Sequence, residues 1–199
     1  MGKLILVTGG TRSGKSGFAQ NLAESQIGPR YFIATCPNVD PEMDDRIRRH
    51  QQARIDRDWL TIEEEVDLVG IFSRMQDSHV CLIDCLTLWV NNLLFREEQS
   101  GRILTEQLMQ NHCEAFIEQL KKYAGTAICV TNEVGMGIVP ENASARLYRD
   151  LVGSCNQIMA QAADDVILVS CGIPLVLKSQ EYKNIYSALH ATFNKEGKK

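Results

Sequence analysis

Leu4-Ile5-Leu6-Val7-Thr8-Gly9-Gly10-Thr11-Arg12-Ser13-Gly14-Lys15-Ser16 joins a short apolar run to an octapeptide of the form G-x-x-x-x-G-K-S. Leu4 to Val7 have the character of a buried parallel strand. After Ser16, the segment from Gly17 places Phe18, Ala19 and Leu22 to face a sheet from a helix. Strand, glycine-rich loop and helix in that order make a phosphate cradle. Backbone N–H groups of Gly9, Gly10, Thr11, Arg12, Ser13 and Gly14, with the helix N-terminus, hold a polyphosphate. Lys15 reaches its β and γ oxygens, and the Ser16 hydroxyl ligates Mg²⁺. The expectation is a protein that handles a nucleoside triphosphate.

Working outward from the loop, apolar runs recur between helical segments, the sign of βαβ units. Strands are expected at Leu4–Val7, Tyr31–Ala34, Leu60–Ile62, Val80–Ile83, Ala127–Val130, Val166–Val169 and Leu175–Leu177. Gly172-Ile173-Pro174 sets the last two close enough to pair as an antiparallel hairpin at one sheet edge. Helices are expected at Gly14–Ala23, Pro41–Arg54, Val66–Met75, Leu86–Leu94, Thr105–Tyr123 and Asn142–Ala162, with a short one around Tyr186–Phe193. The fold class is α/β: a P-loop NTPase of the RecA-like kind, its mostly parallel sheet bearing an antiparallel edge hairpin and helices on both faces. Residues 1–178 form the domain and 179–199 a C-terminal extension.

The chain of 199 residues is long enough for one such domain with a real core. Its net charge of −4 disfavours a dedicated nucleic-acid binder. No targeting signal precedes the first strand, so a cytoplasmic protein is expected. The longest apolar stretch, Val80 to Phe95, is broken by Asp84, Asn91 and Asn92 and is no membrane span. Seven cysteines without any C-x-x-C read as reduced thiols rather than a metal site.

Three further constellations carry chemistry. Val80-Cys81-Leu82-Ile83-Asp84 is an apolar strand ending in a carboxylate, where P-loop proteins hold the acid that orients Mg²⁺. On the helix from Pro41, residues Met43, Arg46, Ile47, His50 and Arg54 fall in one wedge, with Arg48 and Arg49 close by. A neutral imidazole there is suited to attack phosphorus while guanidinium groups draw in phosphate oxygens. A half-buried histidine on a solvated basic face fits the same spacing, and both readings stay open at this point. Thr131 to Asn142 follows a strand directly, which places Asn132 and Glu133 to line a pocket beyond the sheet. A plain turn there fits as well. Arg146 and Arg149 are either phosphate contacts or surface ion pairs. The segment Asn132-Glu133-Val134-Gly135 is not the N-K-x-D of regulatory GTPases, which argues against a switch GTPase.

Taken together, these residues resemble the bifunctional adenosylcobinamide kinase / adenosylcobinamide-phosphate guanylyltransferase family of cobalamin biosynthesis. The resemblance rests on ILVTGGTRSGKS at Ile5–Ser16, YFIAT at Tyr31–Thr35, RIRRHQQAR at Arg46–Arg54 and W-x-T-x-E at Trp59–Glu63. It continues through LIDCLTLWVNNLL at Leu82–Leu94, TNEVGMGIVPEN at Thr131–Asn142 and the stretch from Arg146 to Lys178. General P-loop kinases share only the first of these pieces.

The resemblance implies two reactions. The first phosphorylates the aminopropanol hydroxyl of adenosylcobinamide with ATP or GTP. In the second, a histidine attacks the α-phosphorus of GTP, expels pyrophosphate and passes GMP to adenosylcobinamide phosphate, giving adenosylcobinamide-GDP. The family histidine falls on His50, its neighbour at 49 being Arg49. By the same resemblance Gly9–Ser16, Ala34, Thr35, Cys36, Gln51, Gln52, Ala53, Arg54, Glu63 and Asp84 contact the guanine nucleotide. Ser16 and Asp84 would hold Mg²⁺, and Lys15 would serve both reactions with His50 as nucleophile. Members assemble as small homo-oligomers. The tail after Lys178 lies outside the shared pattern and is an assembly element, a cap or a disordered end. A kinase that has lost the nucleotidyl step, and a RecA-like motor indifferent to cobinamide, are the competing readings; the acidic balance and small size argue against the motor.

Overall fold

The computed structural model describes residues 2–37, 58–75 and 80–179. Seven strands form one sheet: β1 (Lys3–Thr8), β2 (Arg30–Ala34), β3 (Trp59–Glu63), β4 (Val80–Asp84), β5 (Thr126–Val130), β6 (Asp165–Ser170) and β7 (Ile173–Lys178). Their order is β3-β2-β4-β5-β1-β6-β7, and every neighbouring pair is parallel except β6 with β7. Four described helices connect them: α1 (Lys15–Glu24), α2 (Leu86–Gln99), α3 (Glu106–Lys122) and α4 (Ala143–Ala162).

The inner strands β1, β2, β4, β5 and β6 carry apolar runs because both faces of the sheet are covered there. Alternate residues point to opposite sides. Ile5, Val7, Leu82, Ile128, Val130, Ile167 and Val169 meet Ala19 and Ala23 of α1. Leu4, Leu6, Ile33, Cys81, Ile83, Ala127 and Cys129 meet Trp89, Leu93, Met109, Phe116, Leu151, Val152 and Met159 of the other three helices. Each large side chain so buried stabilises the fold by roughly 1.5–3 kcal/mol. Trp89 also finds a partner for its indole N–H, the Val66 carbonyl at 2.8 Å. The helix starts follow capping chemistry: Thr105 Oγ1 accepts from Leu108 N at 3.2 Å, and Asn142 Oδ1 from Ala145 N at 3.1 Å. Among the described residues no helix is long and apolar enough to cross a membrane.

Two expectations need correction. The helix over Val66–Met75 does not form; the segment is a turn followed by one 3₁₀ turn, Gly70–Ser73. A side-chain oxygen takes the Gly70 N–H that a helix would have sent to the Val66 carbonyl, which accepts from Trp89 Nε1 instead. Glu64 Oε1 accepts from Val66 N and Asp67 N at 3.2 and 2.8 Å, and Asp67 Oδ1 from Gly70 N at 2.9 Å. The helix expected to stop at Leu94 instead runs to Gln99, where Glu97 is held by Arg102 Nε at 2.6 Å. The helices expected over Pro41–Arg54 and around Tyr186–Phe193 lie outside the described residues.

Candidate active site

The register brings the ends of five strands to one level. Val7 of β1 pairs with Val130 of β5, Val130 with Asp84 of β4, Asp84 with Ala34 of β2, and Ala34 with Glu63 of β3. All lie at the carboxyl edge of the parallel sheet, where ligands of such sheets bind. The phosphate loop leaves β1 at this edge, between β5 and β6.

Glycine is required at two points of the loop. A Cβ on Gly9 would stand 2.3 Å from the Val169 carbonyl oxygen, so only glycine lets the loop lie against β6. Gly14, the N-cap of α1, has φ 92°, in the left-handed region. The loop closes on itself through Ser13 N to Gly10 O at 3.2 Å. It is braced from outside by the β6–β7 turn, whose Gly172 N–H donates to the Ser13 carbonyl at 2.8 Å. Lys15 is 8% exposed, and its Nζ donates to Gly10 O at 3.1 Å. Its ammonium and the Asp84 carboxylate converge on Cys85. That thiol is pushed up by burial first and by Asp84 next, while Thr87, the Leu88 backbone and Lys15 pull it down.

Behind the loop runs a chain of polar contacts from β1 to α4. Thr8 Oγ1 donates to Glu133 Oε1 at 2.6 Å, and Glu133 N donates to Gly9 O at 3.2 Å. Asn156 Nδ2 donates to the Asn132 carbonyl at 3.0 Å, while Thr131 Oγ1 donates to Asn156 Oδ1 at 2.6 Å. Asn132 and Glu133 are thus fixed beside the phosphate loop. A second strut joins β2 to β4: Thr35, fully buried, donates through Oγ1 to Cys85 O at 2.8 Å and accepts from Cys85 N at 2.7 Å. Asn92 Nδ2 then ties Thr35 O to Glu65 O, at 2.8 and 3.0 Å.

Two buried atoms have no hydrogen-bond partner among the described residues, Ser13 Oγ and Asn132 Oδ1. Both are in or beside the loop, as expected of groups that complete their bonding with a ligand. Mg²⁺ takes one or two protein donors and fills its remaining positions with phosphate oxygens and water. The Ser16 hydroxyl and Asp84 carboxylate are donors of that kind. No group of three or more His, Cys, Asp or Glu side chains able to hold a metal occurs among the described residues.

The structure therefore gathers Gly9 to Ser16, Asp84, Asn132 and Glu133, with Ala34 and Glu63 aligned further along the same edge. It gives Arg146 a different contact: Nη1 donates to the Pro140 and Glu141 carbonyls at 3.0 and 2.6 Å, anchoring the loop before α4. Arg149 pairs with Asp150 at 3.2 Å. His50, Gln51, Gln52, Ala53 and Arg54 lie outside the described residues. Residues missed in the sequence are Thr8, Asn92, Asn156 and Gly172. Asn156 leaves a trace there, a polar side chain in the apolar stripe Leu151, Val152, Cys155 and Met159. A cleft of about 590 Å³ lined by Lys3, Leu4, Leu120, Lys121 and Asp164 lies at the opposite edge of the sheet, away from these groups.

A sequence model described as cobinamide kinase / cobinamide phosphate guanyltransferase matches residues 5–177. The bifunctional adenosylcobalamin biosynthesis protein CobU of Escherichia coli (strain K12) is 38% identical over 185 residues, spanning 88% of this chain and 99% of that one. The CobU protein of Salmonella typhimurium is 39% identical with the same coverage. The bifunctional adenosylcobalamin biosynthesis protein CobP of Pseudomonas aeruginosa is 37% identical, over 88% of this chain and 97% of its own. Among solved structures, an ATPase of a bacterial type III secretion system superposes with a TM-score of 0.53 at 12% identity, over 84% of this chain and 51% of that one. At that identity the likeness is one of fold alone: the P-loop NTPase architecture.

Proposed function

The chain belongs to the cobinamide kinase / cobinamide phosphate guanyltransferase family, and from that premise we propose that it carries out both reactions at the carboxyl edge of its sheet. The kinase step moves the γ-phosphoryl group of ATP or GTP to the aminopropanol hydroxyl of adenosylcobinamide. In the second step a ring nitrogen of His50 bonds to the α-phosphorus of GTP, the α–β anhydride bond breaks, and pyrophosphate leaves. A phosphate oxygen of adenosylcobinamide phosphate then attacks the same phosphorus, the P–N bond breaks, and adenosylcobinamide-GDP forms with His50 restored. The phosphoramidate keeps the guanylyl group activated between donor and acceptor.

The observation that carries this reading is the common level of the strand ends, which sets the phosphate loop, Asp84, Ala34 and Glu63 along one edge. Lys15 and the loop N–H groups hold the polyphosphate and offset charge as it develops on the oxygens. Ser16 and Asp84 would hold Mg²⁺, which would supply further charge neutralisation. Ala34 to Cys36, Gln51 to Arg54 and Glu63 contact the nucleotide. Asn132 and Glu133 face the acceptor. The enzyme works in the cytoplasm as a homo-oligomer, without nucleic acid.

GTP labelled at the α-phosphate tests the central step. A protein adduct that is labile in acid, stable in alkali and absent from His50→Ala is expected, with much of the phosphorylation of cobinamide retained by that variant. Product formation by His50→Ala at the wild-type rate, with no adduct on the native enzyme, would remove the histidine from the pathway.

A further inference from the structure

We propose that the loop Gly135–Val139 is the surface that receives the corrin macrocycle, with Met136, Ile138 and Val139 as its contacts; this rests on the function proposed above and deepens it. The loop presents three large apolar side chains to solvent, Met136 at 78%, Ile138 at 95% and Val139 at 61% exposure. A run of five residues with no charge and three such groups outward is costly to leave wet and is suited to an apolar partner.

The loop is held rather than free to collapse. At its start Glu133 N is bonded to Gly9 O, Met136 N donates to Glu133 O and Gly137 N to Val134 O, both at 3.4 Å. At its end Arg146 clasps the Pro140 and Glu141 carbonyls, and Asn142 caps α4. Anchors on both sides keep the apolar groups outward, so the platform is preformed and little ordering is needed when a ligand arrives.

Position supplies the occupant. The loop emerges from β5, between β1, which carries the phosphate loop, and β4, which ends in Asp84. Whatever seats on it lies at the same carboxyl edge of the sheet as the phosphate loop and Asp84. Cobinamide, the acceptor in the family's description, is a broad macrocycle whose ring and methyl groups offer apolar surface between its amide side chains, with one aminopropanol arm that must reach the transferring phosphoryl group. The acceptors of the two reactions share this macrocycle, so one platform would serve both.

The two half-reactions separate acceptor binding from nucleotide binding. Met136→Gln and Ile138→Asn, singly and together, replace exposed groups and leave the anchors intact. The double variant is expected to raise the KM for adenosylcobinamide at least tenfold. Its KM for the nucleotide and its yield of the GTP-derived adduct, formed without acceptor, should be unchanged. Ile138→Leu should retain the native KM for cobinamide. A double variant with unaltered KM for adenosylcobinamide would overturn the assignment, as would a change in sedimentation without ligand, which would make the loop a contact between copies. A native enzyme that forms no adduct and leaves cobinamide unmodified would instead bring down the proposed function, and the acceptor assigned to this surface with it.

Discussion

Lys15 shows how one residue serves two purposes. Its side chain is buried, yet its ammonium stays close to the Gly10 carbonyl and within electrostatic reach of Cys85. A lysine so placed is held in readiness for a polyphosphate rather than solvated. Because the same cradle serves a γ-phosphoryl and an α-phosphoryl transfer, Lys15→Ala should lower both rates, each by roughly a hundredfold, the scale seen when one preorganised charge-stabilising group is lost. Steady-state rates with cobinamide and with cobinamide phosphate would check this. A variant impaired in one reaction alone would mean that the two transfers use different cradles. The residue scale also marks a limit of legibility. The octapeptide announces itself, because only glycines and one lysine satisfy its geometry. Thr35 does not, since its bonds to the Cys85 backbone join chain positions fifty residues apart and leave no local pattern.

Elements were legible where burial on two faces left no choice of residue. The apolar runs of β1, β2, β4, β5 and β6 were placed to within a residue at each end, and the β6–β7 pairing followed from the short turn between them. Val66, Leu68, Val69, Phe72 and Met75 also carry helical spacing, but Glu64 and Asp67 supply competing acceptors, and a period alone does not register that competition. The hairpin had a role that its sequence did not disclose, because its contact with the phosphate loop is made through backbone. Gly172 has φ 79° and open space where a Cβ would stand, so the cost of a side chain there is conformational alone. Gly172→Ala should weaken nucleotide binding several-fold by displacing the N–H from the Ser13 carbonyl. Gly172→Asn, which tolerates the left-handed region, should recover most of it. Calorimetric titration with a non-hydrolysable GTP analogue gives the comparison; equal affinity in all three proteins would show that the loop holds its shape unaided.

At the scale of the molecule, acid stability depends on a group far from the chemistry. His112 packs its ring edge-on to Trp89, with centroids 6.5 Å apart, and is half-buried between α3 and α2. Burial first, then the charge of Arg96, holds this imidazole below its usual 6.5, with Glu97 opposing. The unfolded chain therefore takes up the proton more readily, so stability present above pH 6.5 is lost as the pH falls through and below it. Thermal unfolding should show a steeper loss between pH 7.5 and 5 in the native protein than in His112→Gln, and parallel curves would contradict the assignment. Fold and phosphate loop were written plainly along the chain, whereas the polar ties between strand ends emerged only once the sheet had brought them together. One such meeting has a practical use. Of the seven thiols, Cys81, Cys85, Cys113, Cys129 and Cys155 are sealed inside and Cys36 is half-covered, but Cys171 stands open, next to the Gly172 that touches the phosphate loop. A fluorophore attached there would sit beside the arriving triphosphate, turning the enzyme into its own optical gauge of occupancy.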